Sequence, residues 1–166
     1  LDLSDAGTLV PNWANNDLWR MQQSSSLFFA IPATNRMTIS LESIAGTISN
    51  VEADSFFHFF AGGLNGLKGY PFYSIEGKSI AIATGTIRVP VFREKHIPLG
   101  WFIMQNSTLG FIGQIGDAWS QSIDEPNWLR SVGIQWRING FSFYNFPTAI
   151  GLELHRGLDT FQRQIN

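Results

Sequence analysis

From Ser131 to Ile138 the residues alternate without a break. Val132, Ile134, Trp136 and Ile138 fall on one side, and Ser131, Gly133, Gln135 and Arg137 on the other. Thr148 to Leu158 repeats the pattern. Thr148, Ile150, Leu152, Leu154 and Leu158 make an apolar side, interrupted by Arg156. Ala149, Gly151, Glu153, His155 and Gly157 lie opposite. Arg36 to Glu42 does the same, with Met37, Ile39 and Leu41 against Arg36, Thr38, Ser40 and Glu42. Only an extended strand sends successive side chains to opposite faces. The chain is therefore read as all-β and antiparallel. Two architectures share this signature. A soluble sandwich turns its apolar face to a core, and a transmembrane barrel turns it to lipid, with water on the polar face.

The remaining segments fit the same plan. Leu18 to Ile31 alternates softly and ends at Pro32, and Pro32 to Asn35 reads as a tight turn. The strand from Arg36 runs on to about Ser49, so this pair forms a hairpin. Ser79 to Phe92 places Ala81, Ala83, Gly85, Ile87, Val89 and Val91 on one face, with Thr84, Thr86 and Arg88 on the other, where Ile80 and Ile82 blur the contrast. Arg93, Glu94 and Lys95 make a charged turn, and Gly100 to about Gln114 is a further strand. Leu1 to Asp17 and Gly116 to Leu129 read as loops, the latter holding Asp124, Glu125 and Pro126. The strands so counted number six. Their connections alternate: compact after Ile31, Phe92 and Ile138, long at Asn50 and Gly116. Short turns at one end and long loops at the other are the habit of outer-membrane barrels.

Composition narrows the function classes. Charged residues make up 14% of the 166, against roughly 25% in ordinary soluble domains. The net charge of -2 provides no basic field for nucleic acid. With no cysteine there is neither a disulfide framework nor a thiolate metal site. His58, His96 and His155 are scattered without metal-ligand spacing. No Gly-x-Ser-x-Gly elbow, P-loop or dinucleotide fingerprint occurs, so no enzyme, catalytic residue, cofactor or metal is expected. The longest charge-free apolar run, Ile97 to Gly116, contains Pro98, Gln105 and Asn106 and makes a poor membrane helix. A membrane-spanning form of this protein would be a closed barrel. Trp101, Trp119, Trp128, Trp136, Phe141, Phe143, Tyr144 and Phe146 lie at or near strand ends and are candidate interfacial girdles. LDLSDAGTLV has neither the basic region nor the apolar core of a signal peptide, and the chain reads as starting mid-protein.

Between the second and third strands lies a long segment, residues 50–78, that holds no regular period. At its centre is FAGGLNGLKGY, Phe60 to Tyr70, followed by Pro71. Gly62, Gly63, Gly66 and Gly69 permit positive φ and close backbone approach. Leu67, Lys68 and Tyr70 complete a tip with a single cation. The expectation is a long loop whose tip is pinned at a specific place.

This loop resembles the Gly-Gly then (Leu/Val)-Arg-Gly-(Phe/Tyr) loop of the bacterial surface antigen superfamily of outer-membrane barrels. That superfamily comprises the BamA/TamA-type assembly factors and the two-partner-secretion transporters. TIRVPVF, Thr86 to Phe92, resembles the Glu-x-Arg-x-Pro strand that follows the loop in the family. GFIGQIGDAW, Gly110 to Trp119, resembles the next, Phe-x-Asp-x-Gly-x-x-Trp strand. The resemblance spans Leu18 to Phe161. It implies the C-terminal portion of a sixteen-stranded barrel, with further strands upstream and one downstream. It also implies residence in the Gram-negative outer membrane and a role in inserting or translocating unfolded or secreted client proteins. In the family the loop folds into the lumen and its tip arginine bonds a wall carboxylate. Here the arginine is Lys68, the wall aspartate falls at Gln114, and the strand glutamate falls at Thr86, while its arginine partner survives as Arg88. The expected wall partners are therefore Gln114, Arg88 and, as another anchor, Asp117. Lysine is a point charge without arginine's bidentate fork, so Lys68 on the Gln114 amide is expected to make a weaker lock. Other readings stay open. They are a membrane anchor or structural subunit joined to periplasmic or envelope partners, a small closed barrel of about eight strands, and a soluble β-sandwich binding module.

Overall fold

The computed structural model describes residues 19–32, 36–49, 55–64, 66–120, 127–143 and 145–160. The expected N-terminal loop, the tip of the first turn, the start of the long loop, Asp124, Glu125, Pro126, Tyr144 and Phe161 lie outside these residues.

Six long strands form one antiparallel sheet in sequence order. They are β1 (Arg20–Ile31), β2 (Met37–Ile48), β5 (Ser79–Phe92), β7 (Phe102–Trp119), β8 (Leu129–Ser142) and β9 (Phe146–Gly157). Within the long loop, β3 (Phe59–Phe60) and β4 (Glu76–Gly77) pair as a small separate hairpin. β6 (Ile97–Leu99) folds back onto the start of β7. The described residues contain no α-helix and only one 3-10 turn, Ser55–Phe57. No helix among them is long and apolar enough to cross a membrane. Among the described residues β1 and β9 each have a partner on one side only, and the sheet does not close.

The register explains the alternation. One cross-strand row runs Ser26, Glu42, Thr84, Gln114, Ser131, Gly157. The adjacent row runs Leu27, Leu41, Gly85, Gly113, Val132, Arg156. In these rows polar residues share one face and mostly apolar residues the other. Toward the start of the long loop the polar row's face carries Ile48, Ile80, Ile82, Ala118 and Leu129. The burial is the reverse of a soluble sheet. On the polar face Ser40 and Ser131 are 1% exposed and Thr86 3%. On the apolar face Leu154 is 79% exposed and Leu152 64%. Phe111, Ile134 and Trp136 are also exposed there.

The core lies between the polar face and the long loop, at the end of the sheet where the loop begins. Phe59, Ala61, Leu67, Tyr70 and Ile75 of the loop pack with Ile48, Ile80, Ile82, Ala118 and Leu129 of the sheet. At the loop base β3 leans toward β1 and β2, with the Arg20 guanidinium 4.1 Å from the Phe59 ring centroid, while Gly77 of β4 lies against the backbone of Ala118 and Trp119 of β7. From there the loop runs back along the sheet to the level of Thr84 and Gln114. That is five residues in from Ser79, or about 17 Å of strand.

Some boundaries differ from the sequence expectation. Gly116 to Trp119, expected in a loop, extend β7 and pair with Ser79 to Ile82. Gly-Asp there has the composition of a turn, but the small residues at Gly116 and Ala118 let the loop base settle on the sheet. β8 reaches Ser142 rather than Ile138. Trp136 is not near a strand end but mid-strand, opposite Leu109 and Leu152. It donates its indole N–H to Ser107 Oγ at 2.9 Å. Two aromatic groups do sit at the sheet ends: Trp101 stacked on Phe143, centroids 5.4 Å apart, and Trp119 beside Trp128 at 6.4 Å.

Leu67 is fully buried between loop and sheet. Replacing it with alanine is expected to cost about 2–5 kcal/mol. Denaturant unfolding of the full-length protein in detergent measures this, with Leu154→Ala on the exposed apolar face as the near-neutral control.

Candidate functional site

The loop tip is built to hold its shape. Ala61 N–H donates to Ile75 O at 2.8 Å, and Leu67 N–H donates back to Ala61 O at 2.5 Å. Gly63 and Gly69 both take φ of 101°, a backbone region that residues with a Cβ rarely enter. A Cβ on Gly69 would stand 2.7 Å from Gly157 N of β9, so loop backbone and strand backbone are in direct contact there. Gly62 bridges to Leu67 and closes the turn. The segment thus presents the Gly66 carbonyl and the Lys68 N–H together to the sheet.

Gln114 of β7 receives both. Its Oε1 accepts from Lys68 N–H at 2.9 Å and from Ser131 Oγ at 3.1 Å. Its Nε2 donates to Gly66 O and to Thr84 Oγ1, each at 3.1 Å. A primary amide offers two acceptor sites and two donor hydrogens, and all four are used in a site only 8% exposed. A carboxylate at this position would have no hydrogens for Gly66 and Thr84.

The sequence expectation put the Lys68 side chain on Gln114. Instead the Lys68 backbone occupies Gln114, and its Nζ reaches Glu153 Oε2 of β9 at 2.5 Å. Gln135 Nε2 of β8 holds the other Glu153 oxygen. His155 lies beside this pair, Nε2 3.4 Å from Glu153 Oε2, with its ring nitrogens buried and without a hydrogen bond among the described residues. Tyr70 adds a further tie. Its hydroxyl donates to Arg130 O at 2.8 Å and accepts from Asp159 N–H at 3.3 Å. The Asp159 carboxylate in turn holds Arg130 at 2.7 Å. These bonds from the Arg130 guanidinium, then from its N–H, hold the Asp159 carboxyl below its ordinary range. The tip therefore engages β7, β8 and β9.

The other expected wall partners lie apart from the tip cation. Arg88 donates to Ser40 Oγ of β2 at 3.0 Å. Asp117 was the other expected anchor, but its carboxylate accepts the Ala118 and Asn127 N–H groups, each at 2.8 Å. It closes the β7–β8 connection, and Glu153 supplies the negative charge for Lys68. The sequence carried a signal for this: Glu153 is the acidic residue on the small-or-polar face of the last strand. Beside the tip lies a polar cavity of about 240 Å³, lined among others by Glu42, Lys68, Arg88, Gln114, Gln135 and Glu153. No cluster of metal-binding side chains occurs among the described residues.

Compared with family models, curated proteins and solved structures, the protein matches none.

The geometry ranks the two grips. Gln114→Ala strips partners from a backbone N–H and a backbone carbonyl, at about 1–3 kcal/mol for each group left buried and unpaired. Lys68→Ala removes an ion pair whose side chains are each about a quarter exposed, worth about 1 kcal/mol or less. Hydrogen exchange across residues 60–70 of the full-length protein is expected to rise far more in Gln114→Ala than in Lys68→Ala. Equal effects would contradict this order.

Proposed function

We propose that this protein is the C-terminal part of the wall of a large outer-membrane β-barrel, with the long loop pinned inside the lumen. The observation that carries the reading is the inverted sheet: at mid-sheet the polar residues of the inner face are buried over β5, β7 and β8, and the apolar outer face is bare. In water such a face is a large uncovered apolar surface, which monomeric soluble proteins avoid. Against lipid it is the expected exterior. Among the described residues the outer edges of β1 and β9 have no partner strand, which supports a larger barrel, because lipid leaves an open edge unsatisfied. The loop, its Lys-Gly-Tyr tip and the strand order support the resemblance to barrels that insert or translocate proteins. The proposed role is therefore handling of client polypeptides at the outer membrane. Its mechanism is mechanical: a rigid loop fixes the lumenal face of the wall while clients pass or fold beside it. Ion pairs and amide bonds to the tip set how firmly that face is held.

A period-two labelling scan tests the location. Single cysteines along β8 of the full-length protein carry a fluorophore in vesicles. Positions 132, 134 and 136 are expected to be quenched by lipid-borne nitroxide, and 135 and 137 by a water-soluble quencher. Loss of the alternation, or burial of 134 and 136 from both quenchers, would favour the sandwich instead. Depleting the protein from cells tests the role. Unfolded client barrels are expected to accumulate in the periplasm. Normal clients with a correctly inserted barrel would leave the anchor reading.

A further inference from the structure

The bare face has a dent that nothing inside the protein requires. Gly85 of β5 and Gly113 of β7 are register partners, so two absent side chains lie side by side. Glycine inside a strand weakens it and marks a place where something approaches the backbone closely. For Gly116 the reason is internal, because a Cβ there would stand 2.8 Å from Ala81 O. For Gly113 it is not: an added Cβ meets nothing within 4 Å. At Gly85 it would meet only Leu41 Cδ2, at an ordinary 3.7 Å. The two glycines form the floor of an apolar groove of about 540 Å³, with Leu27, Leu41, Ile115 and Val132 along its sides.

Cations mark one end of this groove. Arg130 lines it. Arg156 is the register partner of Val132, on the same face, and lines the neighbouring groove with Val132 and Leu154. Arg130 has Asp159 as its ion-pair partner. Among the described residues no carboxylate pairs with Arg156. The Arg130 fork is taken by the two Asp159 oxygens, which leaves Arg156 as the open guanidinium beside the groove. An apolar groove flanked by such a group complements a molecule with a long apolar tail and an anionic head, since arginine matches phosphate oxygens bidentately.

We infer that this groove binds a phosphorylated membrane lipid, one acyl tail lying over Gly85 and Gly113 and the phosphate meeting Arg156 beside Val132. The inference rests on the membrane reading and adds to it a specific lipid site, where a barrel exterior needs only a general solvent. It also gives the two strand glycines a cause.

Native mass spectrometry of the detergent-extracted full-length protein tests it, with phosphatidic acid and phosphatidylcholine as probes. One phosphatidic acid per protein is expected to be retained in preference to phosphatidylcholine. Gly113→Ile fills the groove with a residue that suits strands, and is expected to weaken retention about tenfold or more, equivalent to about 1.4 kcal/mol. Arg156→Gln leaves the groove intact and is expected to reduce the preference for phosphatidic acid. Equal retention of both lipids, or retention unchanged in both variants, overturns the site while leaving membrane insertion standing. A dimer that dissociates in Gly113→Ile, without bound lipid, overturns it in favour of a second copy of the protein. Recovery of the protein outside the membrane overturns both readings. Should Gly113→Ile fail to fold, Arg156→Gln alone decides.

Discussion

The fold depends on how one buried amide is satisfied. Gln114 sits mid-sheet, where the loop cuts off water, and its four hydrogen-bonding positions meet four partners from three different segments: the loop tip, β5 and β8. A buried polar group of this kind is stabilising only when complete. It therefore fixes the loop in one place: a shift of the tip along the sheet would break two bonds at once. The apolar contacts of Leu67, Tyr70 and Phe59 supply attraction without direction. The amide supplies the register.

Much of the architecture was legible in the residues. Period two placed the six long strands and assigned the faces of four of them, because side-chain direction in a strand follows from backbone geometry alone. The loop was legible as the interruption of that period between Ser49 and Ser79. What the alternation could not reveal was where strands end beside small residues. Gly116 and Asp117 have turn chemistry, yet pairing with β5 and the packed loop base keep them extended. Trp136 was misplaced for a related reason: its aromatic character suggested a strand end, whereas its indole finds Ser107 within the sheet.

The site was legible in its parts and not in its pairings. The tip residues and Gln114 meet in space, but through the backbone of Lys68, which no side-chain pattern encodes. The ammonium is flexible and compact, so it is free to seek charge elsewhere and finds Glu153 two strands away. Asp117 was a reasonable anchor by charge and proximity in sequence. Its backbone neighbours claim it first, since N–H groups at a strand end must be paired once buried. A tip held by its backbone tolerates changes in its side chain. Lysine at the tip and glutamine in the sheet are then compatible with a loop that stays in place.

The path of the loop has a mechanical consequence. At its base β3 rests near β1 and β2, where Phe59 lies against Arg20, and its tip is fastened to β7, β8 and β9. It crosses the sheet on the diagonal. Hydrogen bonds between strands resist separation, but they leave adjacent strands a softer mode, sliding along one another by a register step. A diagonal brace stiffens a frame against that parallelogram deformation. The loop acts here as a shear stop: it holds the stagger of the strands, and with it the angle at which this sheet can curve.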